Sequence, residues 1–481
     1  MKHQAFNPFL PCHEYVPDGE PHVFGNRLYL FGSHDAFNGE RFCQNDYVCW
    51  SAPVSDLSDW RYHGVIYRRD QDPMNDGTHV MYAPDVARGA DGRYYLYYTL
   101  DFICAVSVAV ADAPEGPYEY YGVVRDTYGH VLGQRDGDVF QYDPGVLVDA
   151  DGSVHLYSGV ACENGPLEKR LGGLKRVMNA SYHYRLDADM LTVISSGAPV
   201  APGAARAVGT PYEGHAFFEA SSIRRVNDTY YFIYSSTNSH ELCYATADRP
   251  EGPFQYGGVL VSIGDIGLDG RVEDCQADNH LGTTHGSIAE VGGQWYVFYH
   301  RQSNDNQLSR QACAEKIAIA PDGSIAQAEV TSCGLNDGWL KGRGSYEARI
   351  ACNLSGKDGP IRYTPFRVPP TGQPCFTQDE PDNDHGSVQY IRNLTDGSWT
   401  AFKYFEMEGT NRVAVRYRAT GRGRLLVSLK QDAPFIAALP VESGEDWRET
   451  SAGFKPLFGK QALYFRYEGE GSLDMMGITL F

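Results

Sequence analysis

No stretch of this sequence is apolar for long enough to cross a membrane, and the opening MKHQAFNPFLPCHEY lacks the apolar core of a secretory leader. The eleven cysteines include no CxxC and no other paired metal spacing, which excludes the common zinc modules. Their odd number leaves at least one thiol unpaired, which suits a reducing compartment better than a disulfide framework. Together these absences lead us to expect a cytoplasmic location and no membrane partner. Positive charge is scarce too: 41 Lys and Arg face 61 Asp and Glu, a net charge of −20. Such a surface repels nucleic acid and anionic lipid, so the expected partner is a neutral molecule and most of the charge serves solubility.

What is abundant is glycine, proline and rings. The chain carries 52 Gly, 26 Pro, 33 Tyr and 22 Phe, a composition that favours many short strands joined by tight turns over long helices. At 481 residues it is too long for one ordinary core, and two domains are expected.

Five segments repeat one pattern of polar or small starter, apolar strand, turn and Tyr-rich strand. They are DGEPHVFGNRLYLFGS from Asp18, APDVARGADGRYYLYYT from Ala83, DPGVLVDADGSVHLYSG from Asp143, EASSIRRVNDTYYFIYS from Glu219 and HGSIAEVGGQWYVFYH from His285. Each reads as a β-hairpin whose turn is rich in Gly, Asp or Asn. From starter to the following ring residue (Tyr29, Tyr95, His155, Tyr231, Tyr296) the offset is eleven or twelve every time. Outer strands recur as DLSDWRYHGVIY (56–67), DAPEGPYEYYGVV (112–124) and DRPEGPFQYGGVL (248–260). Starters lie 65, 60, 76 and 66 residues apart, room for about four strands each, and five such units make a five-bladed β-propeller. A β-solenoid is the rival, but its periods are usually shorter.

The repeat stops near residue 335. Residues 336–361 read as a Gly-rich connector packing on the propeller. From 362 to 481 a new run of alternating segments follows, WTAFKYFEM, NRVAVRYRA, GRLLVSLKQ, FIAALPV, ALYFRYEG and SLDMMGITLF. That run predicts a β-sandwich of jelly-roll type, so the chain is expected to be all-β.

The innermost strand of each blade lines a propeller's channel, so the five starters should converge on one cavity. Three are carboxylates and one is a histidine. An Asp before Gly or Pro is ordinarily a turn former, and a lone His is ordinarily a hydrogen-bonded core residue. Glu219 interrupts the apolar run of AFFEASSI, where a solvated bulge is the bland alternative. The shared register lowers these alternatives together. Closely placed carboxylates separate one another's pKa values, as glycosidic bond cleavage requires: one carboxyl stays protonated, another ionised, and a third holds the two apart. Phe37, Trp50, Tyr82, Phe102, Phe140 and Phe217, near the starters, are candidate sugar platforms, although rings in such strands are more often core.

At these residues the chain resembles glycoside hydrolase family 43, the five-bladed arabinosidases, xylosidases and galactosidases, over about residues 8–335. VPDGEPHVFGNRLYLFGSHD resembles the segment carrying the general base, QYDPGVLVDADGSVHLYSG that of the pKa-modulating Asp, and FFEASSIRRVNDTYYFIYSS that of the general acid. The resemblance implies Asp18 as base, Asp143 as modulator and Glu219 as acid in an inverting mechanism. YAPDV and THGSIAEVGGQWYVFYHR resemble the second- and fifth-blade motifs. The resemblance further implies that His285 sits beneath the sugar and can help hold a hydrated Ca²⁺ at the propeller centre, and that Arg310, in SRQACAEKI, reaches the sugar subsite. One departure stands out: where the family commonly has Asp-Pro, this chain has Asp18-Gly19-Glu20-Pro21, which makes Glu20 a rival base, although the offset to Tyr29 favours Asp18. The C-terminal segment resembles, more weakly, a family 6-type carbohydrate-binding module.

The activity so implied is exo-acting release of terminal L-arabinofuranose or D-xylose from plant-derived oligosaccharides. An endo-arabinanase or galactosidase of the same family, or a sugar-binding propeller without catalysis, are the alternatives. A fructoside-acting propeller is disfavoured because neither an Asn-Asp-Pro-Asn motif nor a Glu-Cys pair at Glu219 is present, and a phosphorylase because the starter ring offers little positive charge beyond Arg310.

Overall fold

The computed structural model describes residues 4–162, 174–363 and 372–481. All five expected hairpins form. Their inner arms are Glu20–Phe24, Asp85–Arg88, Gly145–Val148, Phe217–Val226 and Ile288–Val291, each antiparallel to the Tyr-rich strand that follows it. The common offset has a plain cause. Tyr29, Tyr95, His155, Tyr231 and Tyr296 sit opposite His22, Ala87, Leu147, Arg224 and Ala289, at one level of each hairpin.

Each blade is buried on both faces, and strand alternation sends successive side chains to opposite neighbours. In the first blade Leu28 and Leu30 pack with Ala289 and Phe298 of the fifth, while Tyr29 and Phe31 pack with Val86 and Leu96 of the second. Tyr95 and Tyr97 face the third blade, Tyr157 faces Phe232 of the fourth, and Tyr231 and Ile233 face Val297 and Tyr299 of the fifth. Five such clusters, each shared by two successive blades, close the ring, which is therefore a five-bladed β-propeller.

The first, second and fourth blades have four strands, whose outermost members Arg61–Tyr67, Glu119–Val123 and Gln255–Ser262 are the recurring outer segments of the sequence. The third blade ends instead in two short strands, Thr192–Val193 and Ala198–Pro202. The fifth has three strands, and the N-terminal segment lies along its outer edge: the Phe9 amide donates to the Ala312 carbonyl at 3.3 Å, and the Asn7 side chain bonds both the amide and the carbonyl of Ala314 at 2.9 Å. A parallel bridge between Gly19 and Gly286 joins the first and last inner strands at the axis.

The second domain is a ten-stranded sheet. WTAFKYFEM and NRVAVRYRA, expected as two strands, form one, Trp399–Ala419; register shifts around Thr410 bend it where a turn was expected. Gly444–Gly469 is likewise a single strand of 26 residues. One core holds Phe402 and Phe405 together with Val413 and Val415, so the sheet folds over on itself. The segment read as a connector contributes the strands Leu340–Lys341, Gly344–Glu347 and Asn353–Ser355 to this sheet. Among the described residues the single α-helix is Ala204–Ala207, and no helix is long and apolar enough to cross a membrane.

Candidate active site

All five starters line one cavity of about 330 Å³: Asp18, Ala83, Asp143, Glu219 and His285. Its walls are largely rings, with Phe42, Tyr82, Phe102, Phe140, Tyr142 and Phe218 around the carboxyl groups.

Asp18 and Glu219 have opposite surroundings. Asp18 is 4% exposed, and burial works against its charge, but the Arg310 guanidinium at 2.9 Å, together with the neighbouring His300, His285 and Ser33, outweighs that and holds the carboxyl below its usual range. His300 helps differently. Its Nδ1 accepts the Asp18 amide at 3.2 Å, so Nε2 carries the proton that goes to the Thr283 carbonyl at 2.8 Å, and the ring is neutral. Burial and Arg310 push its pKa down to about 3, in agreement. Arg310 is itself fixed by Asp35, which accepts from Nε at 2.8 Å and from the second guanidinium nitrogen at 3.0 Å.

The Glu219 side chain has no cation within ion-pair distance and, among the described residues, no hydrogen-bond partner; His285 and Arg310 act on it only from farther off. Burial and then the negative charge of Asp143 raise its pKa. Asp143 is raised by burial too, yet it accepts the Ala220 amide at 3.2 Å and stands 3.7 Å from His285, both of which favour its anion. Of this interacting pair Glu219 keeps the proton and Asp143 the charge. His285 resists burial because Glu20, Asp143 and Asp18 face it, and its pKa rises to about 9.

The backbone delivers Glu219 by irregularity. The strand Phe217–Val226 shifts register on both sides of Glu219, and Ala220 is left-handed at φ +66°. Phe218 and Glu219 therefore both reach the cavity, which unbroken alternation forbids. The same shift corrects one expectation: Phe217, expected as a platform, is fully buried between the third and fourth blades, and its neighbour Phe218 lines the cavity instead.

Two further expected platforms lie elsewhere. Trp50 packs between the first and fifth blades and donates its indole N–H to Glu14 at 2.8 Å. Phe37 is buried, stacked on Tyr15 at 5.6 Å. Tyr82, Phe102 and Phe140 do line the cavity, as does Arg310, whose guanidinium is spent on Asp35 and Asp18. Glu20 is 1% exposed and does not line it; Arg224 and the Ser222 hydroxyl hold its Oε2 at 2.5 and 3.1 Å. Asp85 of YAPDV is structural, accepting from His22 at 2.7 Å and from the amides of Val86 and Val146 at 2.8 Å.

Sequence reasoning missed Phe42, Tyr142, Phe218, His300 and Asp35. Tyr142 and Phe218 adjoin starters and were open to notice; Asp35 and Phe42 sit in a loop without periodicity, so only the fold brings them to Arg310.

At the axis, Glu20 Oε1 is buried without a hydrogen-bond partner, 3.8 Å from His285 Nε2. An unsatisfied carboxylate oxygen of this kind fits a hard divalent cation.

Residues 7–325 match the glycosyl hydrolases family 43. The chain is 47% identical to a xylosidase/arabinosidase of Thermoclostridium stercorarium, over 100% of this chain and 99% of that protein. Among solved structures it resembles a family 43 β-xylosidase/α-arabinofuranosidase from a compost microbial metagenome, determined with xylotriose in a calcium-free form (25% identity, TM-score 0.53, 68% of this chain and 98% of that one). The fold also matches, over 98% of this chain and 97% of the other, that of an arabinoxylan arabinofuranohydrolase from Bacillus subtilis in complex with cellotetraose (21% identity, TM-score 0.51). With one cavity holding an ionised and a protonated carboxyl, and with a relative matched from end to end, the chain belongs to glycosyl hydrolases family 43.

Proposed function

We propose that this glycoside hydrolase removes terminal L-arabinofuranose or D-xylose from plant-derived oligosaccharides by an inverting mechanism. One observation carries the roles: Asp18 is held ionised by Arg310 at 2.9 Å, while Glu219, in the same cavity, has no cation in ion-pair contact and is held protonated by burial and Asp143. Glu219 donates its proton to the departing glycosidic oxygen. Asp18 takes a proton from the water that attacks the anomeric carbon from the opposite face. Asp143, kept anionic by His285 and the Ala220 amide, holds the proton on Glu219 until transfer.

The small ring-walled cavity supports exo action, since it suits the end of a chain rather than its middle. The relatives named for xylosidase and arabinosidase activity support the pentose. Glu20, through its free Oε1, is the residue that would hold a Ca²⁺, and His285 would join it only by giving up the proton its raised pKa retains; the ion would supply fixed positive charge at the floor of the cavity. None of the eleven cysteines, all among the described residues, forms a disulfide, which supports a cytoplasmic enzyme acting on imported oligosaccharides.

The test is a panel of nitrophenyl arabinofuranoside, xyloside and galactoside, with NMR of the first-formed anomer. Inverted arabinose or xylose is expected; a retained anomer overturns the inverting assignment, and activity on long polymer alone overturns exo action. Glu219→Gln should lower turnover of xylo- or arabino-oligosaccharides by about 10²–10⁴-fold. Loss on nitrophenyl substrates should be smaller, because nitrophenolate departs without a proton. An unchanged rate on oligosaccharides removes Glu219 from the mechanism.

A further inference from the structure

We propose that the second domain is part of the catalytic machinery, with Asp382 as a positioning residue that holds the loop 34–45 and, through it, the Arg310–Asp18 pair. The inference rests on the hydrolytic reading above in taking Asp18 as a reacting group. The loop has no strand of its own, and two of its non-glycine residues, Asn38 and Cys43, are left-handed at φ +57° and +56°. Asn enters this region readily, but a Cys persists there only when the surroundings impose it. Yet the loop carries the anchor of the site: Asp35 accepts three bonds from Arg310, at 2.8, 3.0 and 3.0 Å, and a fourth from the Cys43 amide at 2.8 Å.

The restraint comes from the second domain. One oxygen of Asp382 accepts the Phe37 amide at 2.7 Å. The other accepts Asn45 Nδ2 at 3.1 Å, and the same Asn45 nitrogen donates to the Asp35 carbonyl at 3.1 Å. Asp382 thus grips the loop at both ends, one bond removed from Asp35. Two struts run parallel to it. Thr377 donates to Asn304, which bonds Asn38, and Tyr15, stacked on Phe37, donates to Gln378 at 2.6 Å.

Asp382→Ala and Asp382→Asn test the proposal against Arg362→Ala. Arg362 also bridges the domains, through Asp274 at 2.5 and 2.6 Å, but away from the loop. Hydrogen exchange of the Phe37 and Cys43 amides should accelerate in Asp382→Ala, less in Asp382→Asn, and not in Arg362→Ala. On nitrophenyl substrates, at a temperature where all variants are folded by circular dichroism, kcat of Asp382→Ala should fall roughly 10- to 100-fold with KM changed far less. Asp382→Asn, which keeps an acceptor for Phe37, should recover part of the loss. Unchanged exchange in the loop, or kcat equal to that of Arg362→Ala, overturns the proposal. If Asp382→Ala does not fold, Asp382→Asn alone decides by the same two readings. A wild-type enzyme inactive on the whole panel overturns the hydrolytic reading instead, and the exchange measurement still tests the grip on the loop.

Discussion

Glu219 and Asp18 are both carboxyl groups in one cavity, and what separates them is the nearest charge, Arg310 at Asp18 and Asp143 at Glu219. Burial pushes both the same way, and these unlike neighbours leave the site with one proton and one charge. The arrangement has a measurable cost. A carboxyl whose folded pKa lies above its unfolded value binds its proton more tightly in the native state. Stability therefore falls as pH rises from the unfolded value, about 4.3 for Glu, towards the folded one. Glu219→Gln removes that penalty. The variant should match the wild type near about pH 4 and exceed it in thermal stability by on the order of 1 kcal/mol near neutral pH. Calorimetry at the two pH values checks this, and an equal difference at both would mean that Glu219 does not titrate with folding.

At the scale of elements, the positions of the site residues depend on how the inner strands approach one another. Gly19 and Gly286 meet in the parallel bridge that closes the ring, next to Asp18 and His285. A Cβ on Gly286 would stand 1.9 Å from the Phe298 carbonyl oxygen, and that oxygen belongs to the paired strand and cannot move alone. Gly286→Ala should therefore force the two inner strands of the fifth blade apart, destabilising the protein by about 3 kcal/mol or more and displacing His285. Urea unfolding and the rate on nitrophenyl arabinofuranoside check it; a loss below about 0.5 kcal/mol would show that the close approach to Phe298 is dispensable. The hairpins themselves were legible because each has a turn and two apolar arms. The outer strands of the third and fifth blades were not. In the third the strand is broken in two, and in the fifth its place is taken by residues from the other end of the chain.

At the scale of the whole molecule, the two domains share buried charge. Arg301, in the fifth blade, is 4% exposed and donates to the carbonyls of Ala351 and Arg349 at 2.7 and 2.5 Å, its guanidinium 3.8 Å from the Phe376 ring. Lys403 of the second domain reaches Asp265 and Glu329 of the propeller at 3.1 and 2.9 Å. A chain ending at residue 335 would lose the partners of Arg301 and Asp265, at about 3–5 kcal/mol for a broken buried ion pair. Such a fragment should not accumulate as folded protein, and the intact chain should melt in one calorimetric transition. A soluble 1–335 fragment with native circular dichroism would contradict this.

The division between what was readable and what was not follows from range. Periodicity and turn chemistry act between residues close in sequence, so the amino-acid sequence alone determined the five hairpins, their common register and the convergence of Asp18, Asp143, Glu219 and His285. The side a bulged strand presents, the partner that sets a carboxyl's charge and the loop that a second domain holds are contacts between residues far apart in sequence. Phe218 in place of Phe217, the Asp35–Arg310–Asp18 chain and the reach of Asp382 were therefore decided only by the tertiary structure, where burial and a neighbouring charge exist only once the chain has folded.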